Sequence, residues 1–351
     1  MSIKRITTRD IAKHLGLHYT TVAEALRNSP RISAKTRARV NAAAKDLDYK
    51  PDPILNALNA YRCNGKTDRR LATIAWINTY EKEHLKIGFT HDCFLGTGER
   101  VNELGYKLEK FWINSPQMSH KRASDILVAR GIKGVLVPPL DERVKTLDLA
   151  WENFSAVQLG YSLRDSNLPL VSADQVGNTR RLFRFLTRAG FKRIGLACPR
   201  WINQRVNTGF VSGFLGAHQE YLPDTKPFPL FQKDLGEDTE HEFIEWIKHH
   251  KLEALIVHRN DDYESVLSKA GIRVPEDISL AWLTLFNRNS HRCGIYENGE
   301  LVGRHGINLL VAMINRGEYG PSIPRSELLL HGTLVVGRTI QLPESAGEIH
   351  K

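Results

Sequence analysis

Near the amino terminus apolar residues recur at intervals of three and four, whereas further along short apolar runs alternate with amphipathic stretches. The first pattern predicts small helices and the second predicts strands separated by helices. In TTRDIAKHLGLHYTTVAEALRNSPRISAKTRARVNAAAKDLDY, a Thr cap precedes Ile11, Ala12 and Leu15, and Gly16 stops that helix. A second helix is expected from about Tyr19 to Arg27, with Val22, Ala25 and Leu26 spaced for burial and Tyr19, Thr20, Ala23 and Glu24 facing elsewhere. The third starts at Ser33, a good cap, and aligns Val40, Ala43, Ala44 and Leu47 in one stripe. Two short helices joined by a tight Gly-containing turn have helix-turn-helix spacing, which lets the second enter a DNA major groove.

From Leu71 onward the candidate strands are LATIAWI, YKLEKFWI, GVLVPP, AVQLG, RIGLAC, ALIVH and ISLAWL, with helical patterns between most of them. That alternation predicts parallel sheets covered by helices, an α/β architecture. Some 270 residues exceed one comfortable core, so two similar lobes are expected. In the linker YKPDPILNALNAYR, Asp52 can cap a helix beginning at Pro53, with Ile54, Ala57, Leu58 and Tyr61 on one face. A lone helix of ~8 residues is unstable in water and should order only when paired on DNA.

Charge sharpens this reading. The chain carries a formal net charge of +10, and residues 1–50 hold eleven Lys or Arg against four acids, a net +7 in a segment too small to be an enzyme. Such asymmetry points to a polyanion, nucleic acid first. Hydrophobic residues make up 41% and charged residues 25%, which excludes a disordered or collagen-like chain. The longest useful apolar run is six residues, Leu309 to Ile314, whereas a membrane span needs about 20. No secretory signal pattern is read, so the cytoplasm is the expected compartment. Cys63, Cys93, Cys198 and Cys293 stand too far apart in sequence for a zinc or disulfide framework, and no metal is expected. GxSxG, HExxH and Walker patterns are absent, and GFTHDCFLGTG falls in an expected helix, so neither an enzyme nor a cofactor is expected.

Asp10, Ile11 and Ala12, then Thr21 and Val22, then ISAKTRARVNAAAKDLDYKP resemble the LacI/GalR family of bacterial transcription regulators. Asp174 with Gly177, RAGFKRIGL and AGIRVPEDISL extend the resemblance into the family's effector domain. It implies a headpiece at 1–50, a hinge helix and linker at 51–69, a periplasmic-binding-protein-like core at 70–341 and a tail at 342–351. Within the core, the first lobe would hold about 70–161 and 292–320, the second 162–291 and 321–341. The tail lacks leucine heptads, so a homodimer is expected rather than a coiled-coil tetramer.

The resemblance also implies roles. Tyr19, Thr20 and Glu24 would meet base edges, and Leu58 would wedge into the minor groove at the operator centre. Glu24 departs from the basic or polar group common there. It would accept from a cytosine amino group, or else pair with Lys13 or Arg27 on the surface. Thr7, His18, Thr21, Arg27, Arg31, Ser33 and Thr36 would meet phosphates of double-stranded DNA at a pseudo-palindromic operator. Loops after strand ends offer Tyr80, Tyr161, Trp201, Arg205, Asn260, Asp261 and Phe286 for a small hydroxyl-rich effector such as a sugar, with Arg205 and Asp261 as polar anchors. A plain surface position or packing between the lobes is the competing role for each. Repression is the expected sign by resemblance; the rival reading is a nonspecific architectural DNA binder with a vestigial ligand domain.

Overall fold

The computed structural model describes residues 6–26, 32–47, 49, 72–80, 88–113, 118–144, 146–258, 262–321 and 324–342. Three helices lead: α1 (Thr8–Leu15), α2 (Tyr19–Leu26) and α3 (Ala34–Asp46). Thr7 caps α1 reciprocally, its backbone N–H and hydroxyl donating to the Asp10 carboxylate at 2.7 and 2.6 Å. Gly16 ends that helix at φ 64°, a left-handed turn that glycine adopts without strain. Ser33 Oγ accepts the Thr36 amide at 3.2 Å and starts α3. Ile11, Val22, Ala25 and Val40 are wholly buried between the three helices. Arg39 ties α3 to α1 by donating to the Leu15 carbonyl at 2.9 Å.

The core alternates strands and helices. Its first part is β1 (Thr73–Asn78), α4 (Phe89–Glu103), β2 (Lys107–Trp112), α5 (His120–Ala129), β3 (Gly134–Val137), β4 (Ser155–Leu159) and β5 (Leu170–Ala173). Then come α6 (Gln175–Arg188), β6 (Ile194–Ala197), α7 (Arg200–Arg205), α8 (Gly209–Tyr221), α9 (Glu237–His250), β7 (Ala254–Val257), α10 (Tyr263–Lys269) and β8 (Ser279–Trp282). The chain closes with β9 (Cys293–Tyr296), α11 (Gly299–Arg316), β10 (Glu327–Leu330) and β11 (Thr333–Val335). One sheet has the order β10-β5-β4-β3-β1-β2, parallel throughout; the other runs β11-β9-β8-β7-β6, with only β11 antiparallel. Helices cover both faces, so β3, β4, β6, β7 and β8 are buried at every position, in keeping with their mainly apolar sequences.

The lobe boundaries differ from those expected. β5 pairs with β4 in the first sheet although 162 onward was assigned to the second lobe. β9 pairs with β8 in the second sheet, and β10 returns to the first. The chain changes lobe after a strand's carboxyl end, at 174, 297–298 and 331–332. These crossings are knit together by side chains. Asn298 Nδ2 donates to the His331 carbonyl at 3.0 Å, Thr333 Oγ1 donates to Asn298 Oδ1 at 3.2 Å, and the Gly332 amide donates to Asn178 Oδ1 at 2.7 Å.

In the first lobe α4 and α11 pack backbone to backbone. A methyl group on Gly96 would fall on the Glu300 carbonyl, and one on Gly303 would fall on that of Cys93. Only glycine permits this approach. No helix among the described residues is long and apolar enough to cross a membrane.

Candidate DNA face and effector cleft

On the headpiece, the first turn of α2 presents Tyr19, 48% exposed, beside exposed Thr20 and His18. The His18 and Tyr19 rings lie 4.7 Å apart, His18 Nδ1 is 2.8 Å from Thr20 Oγ1, and the Arg9 guanidinium sits 5.8 Å over the Tyr19 ring. These contacts hold aromatic, hydroxyl and cation together on the outward face. Glu24 follows one turn later, half-buried with Thr21. Ser33 and Thr36 share a hydroxyl contact of 2.9 Å, which leaves one of their two protons for an outside acceptor. Thr7 is the exception: its hydroxyl proton and amide both go to Asp10, whose carboxylate opposes a phosphate. Arg27, Arg31 and Leu58 lie outside the described residues.

In the core, the carboxyl ends of strands from both sheets converge on a cleft of about 550 Å³. Tyr80 follows β1, Asp141 and Arg143 follow β3, Tyr161 follows β4, and Gln175 follows β5 at the edge of a crossing. From the second lobe come Trp201, Arg205 and Phe210 after β6, His258 after β7, Thr284 after β8 and Glu297 after β9. Trp201 Nε1 donates to Asp234 Oδ1 at 2.8 Å, which fixes the indole plane, and Tyr161 donates to Glu327 Oε2 at 2.9 Å. Burial first, and then Glu327, push the Tyr161 phenol well above its ordinary pKa, so it stays a donor at any physiological pH. Burial likewise raises Tyr80, whose hydroxyl donates to the Leu140 carbonyl at 2.9 Å. Arg143 grips Asp141 with two bonds, Nε to Oδ1 at 2.8 Å and Nη2 to Oδ2 at 3.0 Å, and this holds the carboxyl below its usual range. Gln175 Nε2 donates to Glu297 Oε1 at 3.1 Å on the cleft floor. The Thr284 hydroxyl is buried there with no hydrogen-bond partner among the described residues.

Tyr80, Tyr161, Trp201 and Arg205 therefore stand on one cleft, as strand-end reasoning placed them. Phe286 does not. The Leu285 amide bonds back to the Ile295 carbonyl at 2.8 Å, turning the chain along β9, so Thr284 faces the cleft and Phe286 is left 40% exposed outside it. Asn260 and Asp261 lie outside the described residues. Asp141, Arg143, Gln175, His258, Thr284 and Glu297 were not singled out from sequence, although each follows a strand end and the same rule reaches them. No group of three or more His, Cys, Asp or Glu suited to a metal occurs among the described residues.

Residues 7–52 match the model of the family described as bacterial regulatory proteins, lacI family. The transcriptional regulator CelR of Thermobifida fusca is 24% identical over 327 residues, 89% of this chain and 92% of its own. The transcriptional repressor PurR of Pasteurella multocida is 21% identical over 353 residues, 95% and 98% of the two chains. Among solved structures, a CelR complex with cellobiose superposes with a TM-score of 0.59 at 21% identity over 95% of this chain and all of that one. The lac repressor dimer bound to operator and the anti-inducer ONPF gives 0.56 at 20% over 96% and 99%. These superpositions show the same fold, a helix-turn-helix headpiece ahead of a two-lobed, periplasmic-binding-protein-like core. With the headpiece match over residues 7–52 and the end-to-end alignment to regulators, they show a chain that carries a lacI-type DNA-binding headpiece and is similar along its length to LacI-family transcriptional regulators.

Proposed function

We propose that a homodimer of this regulator represses transcription in the cytoplasm by binding a pseudo-palindromic operator, and that a sugar held in the cleft sets its operator affinity. The observation that carries the reading is the cleft itself. Tyr80, Tyr161 and Trp201 bring flat apolar faces with polar edges, and Thr284, Glu297 and Arg205 bring polar groups, the mixture a hydroxyl-rich molecule needs. The relative whose solved complex holds cellobiose has the same fold. Its volume also sits within the range of small-molecule pockets, about 300–1,000 Å³.

On DNA, Tyr19, Thr20 and Glu24 read base edges, while His18, Thr21, Ser33 and Thr36, with Arg27 and Arg31, set register on phosphates. Thr7 contributes less, because Asp10 already uses its donors. Leu58 of the hinge segment supplies the minor-groove wedge. Two copies are needed because one small headpiece buries too little surface for a specific site.

The test is thermal unfolding of the full chain against cellobiose and a panel of neutral mono- and disaccharides. A true effector at about 100 times its Kd stabilises by about 2.7 kcal/mol and raises the Tm accordingly. No shift with any sugar contradicts the effector class. A ratio of best-site to random-DNA affinity near one would return the nonspecific architectural reading in place of a regulator's ~10³ or more.

A further inference from the structure

Arg205 reaches across the cleft. It leaves the last turn of α7 in the second lobe, and its Nη2 donates to the Leu140 carbonyl of the first lobe at 2.6 Å. The same carbonyl accepts the Tyr80 hydroxyl, and Arg205 also hydrogen-bonds Tyr80. The Asp141 carboxylate adds its attraction to the guanidinium. This acceptor is held from behind: the Leu140 amide donates to Ser162 Oγ at 2.7 Å, the Asp141 amide donates to Thr79 Oγ1 at 2.8 Å, and the Leu140 side chain is buried. A guanidinium facing an anchored carbonyl makes a charge-assisted bond, which is stronger than a neutral one. None of the three chain crossings contributes to the tie.

We propose that Arg205 is a latch between the lobes, whose bond to the Leu140 carbonyl holds the cleft shut and whose capture by a bound molecule releases it. An oxygen of the effector that takes over the guanidinium frees Leu140, so effector binding and lobe angle are thermodynamically linked. That second half rests on the effector reading above; the latch itself rests only on contacts within the chain. It assigns Arg205 a tie broken by the ligand, where the sequence marked it as a plain ligand anchor.

The test measures distances by pulsed electron spin resonance between labels at exposed Asp125 in α5 and Glu237 in α9, introduced as D125C and E237C. A Cys63→Ser background leaves Cys93, Cys198 and Cys293, which are buried. Arg205→Ala and Arg205→Gln should each lengthen and broaden the distribution, with the closed-to-open ratio falling about tenfold, equivalent to about 1.4 kcal/mol. Arg130→Gln breaks the Arg130–Glu109 pair inside the first lobe, away from the cleft, and should keep the parent distribution. Unchanged distances in both Arg205 variants, or equal lengthening in Arg130→Gln, would overturn the latch. The labels are read on the protein alone, so they report on the latch whether or not any sugar binds. A sugar that shifts the Tm of a protein whose Arg205 variants stay closed would keep the effector and remove the latch.

Discussion

In the proposed reading Glu24 carries the most specific chemistry of the headpiece, because a carboxylate in the major groove can only accept, so it selects an amino group, on cytosine N4 in the usual pairing or on adenine N6, and rejects guanine and thymine edges. Its neighbours Tyr19 and Thr20 accept or donate with several bases and discriminate less. We expect the preferred half-site to hold a C opposite Glu24, and Glu24→Ala to lose that preference at a cost of about 1–3 kcal/mol while binding at other positions is unchanged. Affinities for duplexes varied at that one base pair check this; the same base preference in the variant would make Glu24 a surface ion-pair partner. In the cleft, Asp141 is held deprotonated first of all by its hydrogen bond to Arg143. A carboxyl whose folded pKa is depressed stabilises the fold above its unfolded pKa and loses that contribution as pH falls through the folded one. Arg143→Gln should therefore raise the Asp141 titration toward the ordinary carboxylate range, as followed by NMR of its side-chain carbon.

The α4 and α11 pair shows how single glycines decide packing. Gly303→Ala should cost about 2 kcal/mol, since its methyl meets the Cys93 carbonyl on a neighbouring helix and the backbone must give way. Gly98→Ala in α4 is the matched control. Nothing lies within 4 Å of the added methyl, so that change should stabilise by about 0.5–1 kcal/mol through helix propensity. Denaturant midpoints of the two variants moving in opposite directions bear this out; movement in the same direction contradicts it. The headpiece helices were legible in the chain because their signals are local: Thr7 and Ser33 as caps, Gly16 as stop, Ile11, Val22 and Val40 at helical spacing. The strands β1 to β4 and β6 to β8 were legible too, most of them as apolar runs bounded by helical patterns. β5, β9, β10 and β11 were not, because their short runs are interrupted or lack such bounds. Pro169 stands at the edge of β5, Gly294 interrupts β9 where its backbone presses on the Trp282 carbonyl, and β10 exposes Leu328 and Leu329 on both faces. Missing β5 and β9 hid Gln175 and Glu297, which follow them directly. Phe286 was misplaced because a return hydrogen bond between distant strands, not local composition, turns its loop.

Taken as a whole, the molecule carries a basic helix-turn-helix headpiece and a two-lobed core with a cleft between strand ends. The three lobe crossings, knit through Asn298 and Asn178, make a narrow pivot, and the cleft walls come from strand ends on both sides of it. Such a body has few ways to move other than opening and closing about that pivot. In the proposed function, a ligand that favours one angle changes operator affinity, provided its own affinity differs between the two states. Selection of bound duplexes by the full chain from a random pool, sequenced at fixed salt, tests the central claim most directly. The account predicts enrichment of one twofold-symmetric site with a C in each half, bound at least ~10³ times more tightly than random DNA. A pool that emerges unenriched, or enriched only in base composition with no symmetry, contradicts it.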